Sequence, residues 1–207
     1  MLEVVRSIFP ALCASGPFWS LRFVEERSES LAVRKGVPQP LQVAVDRGAM
    51  LTVVRDGGYG YAATGDLSVE GLQAALDRAD AWARHAGRAS VFDFGHLNYP
   101  SPHGGFVSPP PVPAARWTRR EVLDMLLAED AAAQIDDRIV DRQASMRTVT
   151  ADHLYLTNHG GDVAQHYRFA MPSLQVTAND GPNTQTRSLA GQYNGYCQQG
   201  GLELIAR

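Results

Sequence analysis

Two neighbouring stretches of the sequence decide the fold. Residues 56–64 read Asp-Gly-Gly-Tyr-Gly-Tyr-Ala-Ala-Thr, and residues 66–72 read Asp-Leu-Ser-Val-Glu-Gly-Leu. The first joins a Gly-rich turn to alternating residues, which indicates a β-hairpin that needs positive φ in its turn. In the second, Ser68 is suited to be an N-cap and Leu67 a hydrophobic staple. A hairpin that leads into an amphipathic helix predicts that helix and sheet pack together.

Three helices are predicted. Residues 2–14 form the first, which Ser15-Gly16-Pro17 ends because Pro cannot continue a helix. The second runs from Ser68 to Gly87. Its apolar stripe, at spacings of three and four, comprises Leu72, Ala75, Leu76, Ala79, Trp82, Ala83 and Ala86. The third begins at the capping box of residues 118–121 and buries Val122, Met125 and Leu126.

Short strands separated by turns account for the rest of the chain. Alternation places Trp19, Leu21 and Phe23 on one face and repeats in Leu41, Val43 and Val45. Further strands are predicted at residues 51–54, 59–63, 148–158, 165–169, 173–179 and 184–193. We therefore expect an α+β fold, a mostly antiparallel sheet of short strands and hairpins packed against two or three helices. The similar endings at residues 59–61 and 193–196 leave open a duplicated strand unit.

Residues 98–115 hold six of the 12 prolines, so regular structure is not expected there. We interpret this segment as a loop inside one domain covering residues 1–207, with a domain boundary as the alternative.

Composition limits the classes of partner. The chain has 19 basic and 22 acidic residues and a formal charge of -3, which argues against nucleic acid and anionic membranes as partners. The densest basic cluster, Arg116, Arg119 and Arg120, flanks a predicted helix start and is interpreted as solvated. Cys13 and Cys197 are far apart, and no apolar run approaches the roughly 20 residues of a membrane span. A cytoplasmic protein is expected.

The histidines are the first candidates for chemistry. His153, His159 and His166 lie in one strand-rich region, but residues 158–161 read as a turn, and no i,i+4 pair of metal ligands occurs. We interpret them as turn and sheet-surface residues, with an independent metal hydrolase as a less favoured alternative. His96 and His103, in or near the Pro-rich segment, are weaker candidates.

No nucleophile or acid–base pair stands out. The sequence has no Gly-x-Ser-x-Gly elbow, and Cys197 is better explained as a small residue near a strand end. Residues 56–60 lack the spacing of a phosphate loop. The neighbouring carboxylates at residues 25–26 and 136–137 would point to opposite faces of a strand and are interpreted as solvated. We therefore predict no catalytic, cofactor-binding or metal-binding residue in the chain.

Four segments in order carry a resemblance to a known family. They are Arg-Phe-Val-Glu-Glu-Arg-Ser-Glu-Ser-Leu at residues 22–31, Val-Arg-Lys-Gly at 33–36, and the two stretches at 56–64 and 66–72. Together they resemble the N-terminal domain of the TldD/PmbA family, once called modulators of DNA gyrase and regarded as zinc metalloproteases. Complete members carry a His-Glu-x-x-x-His zinc motif and a C-terminal catalytic β-rich domain.

The resemblance implies a metalloprotease, but this sequence lacks the catalytic motif of that family. His-Glu-x-x-x-His does not occur in the 207 residues, so zinc is expected in the complete family protein and not in this chain. Residues 201–207 stop inside an apolar run, which we interpret as truncation. We expect the N-terminal, non-catalytic portion of a metalloprotease that acts on extended peptides in maturation or degradation. It would contribute substrate-channel walls and a dimer surface for an identical or different family subunit. The alternative is a free-standing peptide-binding or scaffold module.

Overall fold

The structure, a computed structural model, describes residues 1–108, 117–189 and 198–199. Three α-helices occur in these residues: α1 (Leu2–Ile8), α2 (Val69–Gly87) and α3 (Arg119–Ala132), with 3-10 turns at Phe9–Ala11 and Phe94–His96. The strands are β1 (Phe18–Arg34), β2 (Val37–Pro38), β3 (Gln42–Arg55), β4 (Gly58–Thr64), β5 (His103–Val107), β6 (Ile139–Thr157), β7 (Asp162–Asp180), β8 (Asn183–Leu189) and β9 (Gln198–Gln199).

The strands form one sheet in the order β4-β3-β1-β6-β7-β5, with β2 beside β1 and both β8 and β9 beside β7. Antiparallel pairing joins β1 to β2, β3 to β4, and β7 to both β8 and β9. β5 runs parallel to β7. The predicted α+β class with a mostly antiparallel sheet is therefore confirmed.

The prediction that the strands are short is wrong. β1, β3, β6 and β7 contain 17, 14, 19 and 19 residues. β7 merges the two strands predicted at 165–169 and 173–179, although Pro172 lies inside it. Pro172 is tolerated because it falls between Ala170, which pairs with β9, and Leu174, where pairing with β8 begins.

Two other boundaries also differ from the prediction. The first α-helix ends at Ile8, because Pro10 has no N–H for the next α-helical hydrogen bond, and a 3-10 turn follows. The Pro-rich segment 98–115 contains a regular element, since β5 occupies His103–Val107. Of the strand predicted at 184–193, β8 contains the part up to Leu189, and residues 190–193 lie outside the described residues. Residues 193–196 lie outside them as well, so the duplicated strand unit stays a prediction.

The chain divides into two compact units. The first comprises Met1–Glu26, Asp46–Val107 and Ala151–His166, and the second comprises Arg27–Val45, Ser108–Thr150 and Tyr167–Arg207. The prediction of a single domain over residues 1–207 stays a prediction.

In the first unit, α1 and α2 supply apolar side chains to a core with the sheet. Ser68 caps α2 as predicted, and its hydroxyl accepts a hydrogen bond from the Gly71 N–H at 3.0 Å. Trp19, Leu21 and Phe23 share the buried face of β1, which confirms the predicted alternation. The remaining buried members of the core are Val5, Leu12, Ala49, Leu51, Val53, Leu72, Ala75, Leu76, Ala79, Ala83, Leu154 and Leu156.

Glycines in β4 bring α2 unusually close to the sheet. A Cβ on Gly58 would lie 2.0 Å from the Ala83 carbonyl oxygen, and one on Gly60 would lie 2.2 Å from that of Ala79. The predicted hairpin turn is confirmed at Asp56 and Gly57, whose φ angles are 52° and 74°. The turn therefore explains Gly57, whereas helix packing explains Gly58 and Gly60.

Trp82 is the exception to the predicted stripe on α2. Trp82 is 61% exposed, while Asp80 at the other margin of the stripe is buried. Both oxygens of Asp80 accept hydrogen bonds from Arg55 Nη1 at 3.0 Å, and Arg84 Nη2 lies 3.0 Å from Oδ2. Two cations thus compensate the buried carboxylate, which lets the helix turn Asp80 inward and leave Trp82 outward.

The second unit has its own small core around α3. The predicted capping box of Thr118 and Glu121 is confirmed. Buried Asp130 accepts hydrogen bonds from the Gly36 N–H at 2.7 Å and from Arg142 Nε at 3.0 Å. The buried apolar members are Val33, Val122, Leu126, Ala144, Met146 and Ala170, with Met125 packed against them.

One strand face predicted to be apolar is not buried. Leu41, Val43 and Val45 are all exposed. β4 pairs with Ala49–Arg55 and does not reach this part of β3.

Candidate functional site

The candidate site is an open groove in the first unit, at the end of β4. Its volume is about 620 Å³. Because Trp19, Leu21 and Phe23 face the core, alternation places Arg22, Val24 and Glu26 on the opposite face of β1. The full lining is Arg22, Val24, Glu26, Asp46, Arg47, Gly48, Ala49, Met50, Ala63, Thr64 and Gly65.

The groove contains charges of both signs. Arg22 and Arg47 are the basic residues of its lining, and Glu26 and Asp46 are the acidic ones. Val24 and Met50 add apolar surface beside them. The groove can therefore form ion pairs with either sign of charge and still contact apolar groups.

Unpaired backbone forms part of this site. All seven residues of β4 pair with Ala49–Arg55, and β4 and β1 are the two neighbours of β3 in the sheet. Residues 46–48 therefore have no strand on the β4 side within the described chain. Since Ala49 and Thr64 form the last pair, the N–H and C=O of Arg47, two residues further along β3, face the same open side.

The rim of the groove is held by local hydrogen bonds. The Asp66 N–H donates to Thr64 Oγ1 at 3.1 Å, and the Ser68 N–H donates to Asp66 Oδ1 at 3.0 Å. The Ser68 bonds lower the pKa of the Asp66 carboxyl, so it stays ionised. These bonds fix the connection from β4 to α2 beside the groove.

His153 lies near the charges of the groove. Burial lowers the pKa of its imidazole and the Arg22 guanidinium lowers it further, whereas Asp152 and Glu26 act in the opposite direction. The imidazole is therefore neutral at neutral pH, and it adds no positive charge to that of Arg22.

The other histidines have separate partners. His159 lies in the turn between β6 and β7, as predicted, with Nε2 2.8 Å from the Pro17 carbonyl oxygen. His166 Nδ1 lies 2.7 Å from Asp152 Oδ1. His96 Nε2 lies 3.1 Å from Asp93, and His103 Nδ1 lies 3.0 Å from the Ser101 carbonyl oxygen. Among the residues that the structure describes, no three His, Cys, Asp or Glu side chains form a group that could hold a metal. The described residues thus do not fit a zinc site, and no hydrolytic step is assigned to them.

The remaining sequence candidates are dispersed. Glu25 and Glu26 are both half-buried, and Glu26 lines the groove. Asp136 and Asp137 are exposed as predicted, and Asp136 binds Arg138 at 2.8 Å. In the basic cluster, Arg119 pairs with Glu29 at 2.7 Å and Arg120 with Asp124 at 2.9 Å. Cys13 is exposed, and Arg116 and Cys197 lie outside the described residues.

Sequence reasoning missed the groove as a site. Arg22, Asp46 and Arg47 match no binding or catalytic motif, and none of them was singled out as a candidate site residue. Alternation in the sequence could have pointed to the groove. It places Arg22 and Glu26 on the outer face of a strand whose inner face carries Trp19, Leu21 and Phe23. A separate finding is that no helix in the described residues has the length and apolar character needed to span a membrane.

Comparison with known proteins finds a family model that matches part of the chain. Residues 19–83 match a family model described as PmbA/TldA metallopeptidase domain 1. A comparison with curated protein sequences gives no match.

Solved structures share the fold over most of the chain. A protein described as a modulator of DNA gyrase from Bacteroides thetaiotaomicron is 17% identical with a TM-score of 0.69, over 91% of this chain and 42% of that one. A second so described, from Thermotoga maritima, is 17% identical with a TM-score of 0.61, over 90% and 42%. TldE from Thermococcus kodakarensis is 14% identical with a TM-score of 0.63, over 93% and 43%.

The chain thus spans about two fifths of the length of these structures. The predicted resemblance to the N-terminal domain of the TldD/PmbA family is therefore confirmed, by sequence over residues 19–83 and by a shared fold over most of the chain.

Proposed function

We propose that this chain is the N-terminal, non-catalytic portion of a TldD/PmbA-like metallopeptidase and that it binds extended peptides in the groove. The single observation that carries the proposal is the open backbone of β3 beside charges of both signs. The family model supports it, since its description names a metallopeptidase domain.

An extended peptide suits the groove for a physical reason. A strand laid beside residues 46–48 would form main-chain hydrogen bonds with Arg47, and such bonds do not depend on the peptide's sequence. Alternate peptide side chains would point toward the groove, where Arg22 can receive carboxylates and Glu26 and Asp46 can receive cations. Broad tolerance for peptide sequence follows from this combination.

The rest of the proposal concerns the complete protein. The chain would act with the remainder of a family protein, where zinc is expected, and with a second family subunit. Peptide maturation or degradation in the cytoplasm would be the process served. A His-Glu-x-x-x-His helix encoded after Arg207 in the native gene would support this over a free-standing scaffold module, and a stop codon would support the module.

The groove can be tested by direct binding. A short fluorescein-labelled peptide with alternating Thr and Glu would be titrated with the 207-residue chain in low-salt buffer, because salt screens exposed charges. We expect Arg22→Glu to weaken binding about tenfold, a loss of about 1.4 kcal/mol. Arg120→Glu, the same reversal on α3, is the matched control and should leave binding unchanged.

Two results would contradict the proposal. Equal affinities for the two variants would exclude the groove as the binding site. Zinc-dependent cleavage of an unfolded peptide by the purified chain would show that the chain is catalytic.

A further inference from the structure

The face of β4 that is turned away from α2 carries exposed aromatic side chains. A Cβ on Gly58 or Gly60 would meet the backbone of α2, so the alternate residues of the strand point to the opposite, outer face. Two of them, Tyr59 and Tyr61, are 38% and 61% exposed. The third is Ala63, which also lines the groove. The outer face of β4 is therefore continuous with the candidate site.

Two phenylalanines extend this row of rings beside the β3–β4 turn. The ring centroids of Tyr61 and Tyr59 lie 6.3 Å apart, and those of Tyr59 and Phe94 lie 5.5 Å apart. The Phe92 ring follows at 5.0 Å from that of Phe94 and is 53% exposed. We call these four residues the aromatic strip. Because burying an ion against apolar rings is costly, the strip favours apolar groups as partners.

Hydrogen bonds and stacking hold the strip in place. The Phe94 N–H donates to the Gly57 carbonyl oxygen in the β3–β4 turn at 3.0 Å. The Tyr99 hydroxyl donates to the Phe94 carbonyl oxygen at 3.0 Å, and its ring stacks on buried Phe18 with centroids 4.1 Å apart. Burial raises the pKa of the Tyr99 phenol, so the hydroxyl keeps the proton that it donates. A ligand therefore meets rings that are already ordered.

We propose that the aromatic strip continues the peptide-binding groove and selects peptides with aromatic or aliphatic side chains at alternate positions next to the segment bound in the groove. The inference rests on the proposed function, since the groove supplies the main-chain hydrogen bonds and the strip adds a preference for apolar side chains. The substrate class is an extended segment in which charged residues adjoin apolar ones.

The route of the peptide follows from the strand that it would meet. A peptide paired with residues 46–48 lies end to end with β4, because both are on the same side of β3. It must leave the plane of the sheet before it reaches Thr64. The backbone of α2 occupies the inner face of β4, so the peptide turns to the outer face. There it meets exposed Ala63 first and then Tyr61.

The spacing of the rings suits an extended peptide. Its alternate side chains lie about 6.8 Å apart, two residues at about 3.4 Å each. This distance is close to the 6.3 Å between the rings of Tyr61 and Tyr59. Successive apolar side chains can therefore each contact a different ring. An aromatic side chain would pack offset or edge-to-face on the ring, which is favourable beyond the burial of apolar area.

Two fluorescein-labelled peptides test the preference. Both contain a central segment of alternating Thr and Glu, flanked at both ends by alternating Thr and Phe in one peptide and by alternating Thr and Ser in the other. Flanks at both ends make the result independent of strand direction. In low-salt buffer, the 207-residue chain should bind the Phe-containing peptide about tenfold more tightly.

Substitutions in the strip should remove this difference. We expect Tyr61→Ala to bring the two affinities close together. Phe92→Ala, which lies outside the strands, is a second variant with the same expectation in case Tyr61→Ala disturbs the sheet. Trp82→Ala is the matched control, because Trp82 is also 61% exposed but belongs to α2, on the other face of β4. This control should keep the full preference for Phe.

The outcomes separate the strip from the groove. Equal affinity for the two peptides would overturn the inference, and so would a preference for Phe that both strip variants retain; weaker binding of both peptides by Arg22→Glu would still support the groove. A preference for Phe that depends on Tyr61 and not on Arg22 would support the strip and contradict the groove. Failure of both peptides to bind would contradict both proposals.

Photocrosslinking locates the contact independently. Benzoylphenylalanine would replace the flanking Phe residues, and the irradiated complex would be digested and analysed by mass spectrometry. We expect attachment within residues 59–61 or 92–94. Attachment within residues 78–85 of α2 instead would overturn the inference.

Discussion

Replacing Gly60 with Ala tests whether glycine sets the distance between α2 and β4. The added Cβ would lie 2.2 Å from the Ala79 carbonyl oxygen and 2.4 Å from the Ala83 nitrogen. Both atoms belong to the helix backbone, so no side chain can swing away to make room. Carbon atoms pack favourably at about 3.5–4.0 Å, and α2 would therefore have to move by about 1 Å or more.

The energetic cost follows from what such a movement disturbs. Leu72, Ala75, Leu76, Ala79 and Ala83 are all fully buried against the sheet, and a shift of α2 opens gaps around them. Overpacking of a core costs about 1–3 kcal/mol, and contact with rigid backbone places Gly60→Ala near the upper value, about 3 kcal/mol. For a protein of this size that corresponds to a fall in melting temperature of about 6–12 °C.

Gly65→Ala provides the matched control. It is the same substitution just after β4, but its Cβ would meet nothing nearer than the Arg47 carbonyl oxygen at 3.9 Å. We expect a change of about 0.5 kcal/mol or less in urea denaturation. Hydrogen exchange should show faster exchange in α2 for the Gly60 variant alone. Equal loss of stability in the two variants would refute the argument that the missing Cβ of Gly60 sets the helix position.

Two further predictions concern the cap of α3 and a histidine. Thr118→Ala removes the side chain that caps α3 and should lower the free energy of unfolding by about 1 kcal/mol. Ser188→Ala, on exposed β8, is the control and should change the free energy of unfolding less. Equal melting temperatures for the two variants would contradict this prediction. The pKa of His153 is lowered in the folded state, so as pH falls below about 6.5 the unfolded chain binds a proton more readily and the folded state loses stability. His153→Gln should therefore reduce the loss of stability between about pH 7 and pH 5, measured by urea denaturation at each pH, and an unchanged pH dependence would contradict the assigned direction.

Local sequence predicted what local physics decides. Ser68 and Thr118 cap their helices because a side-chain oxygen satisfies a nearby N–H, and both are visible from spacing alone. Trp19, Leu21 and Phe23 alternate onto one face because a strand has a period of two. The length of β7 and the pairing of β5 could not be predicted in the same way. Both depend on hydrogen bonds to strands far along the chain, and nothing near Pro172 or in the Pro-rich segment indicates those partners.

The candidate site depends on contacts that periodicity does not show. Trp82 fits the spacing of the buried stripe and is nevertheless exposed. The salt bridges of Asp80 with Arg55 and Arg84 favour burial of Asp80, at the opposite margin of the stripe. The groove arises because β3 extends beyond the last residue of β4, a difference in strand length that the short predicted strands concealed. Its charged residues were visible in the sequence, but their proximity was not.

The close approach of α2 to β4 also affects how relatives should be compared. The backbone of α2 occupies the space that a side chain at Gly58 or Gly60 would need. Close packing of α2 therefore requires glycine at both positions, whatever the protein binds. Two proteins that handle different molecules would keep these positions alike, and a likeness over residues 19–83 therefore reports shared architecture more than shared ligands. If the groove binds peptides as proposed, ligand preference is better compared at Arg22 and Glu26, which line it on the opposite face of the sheet.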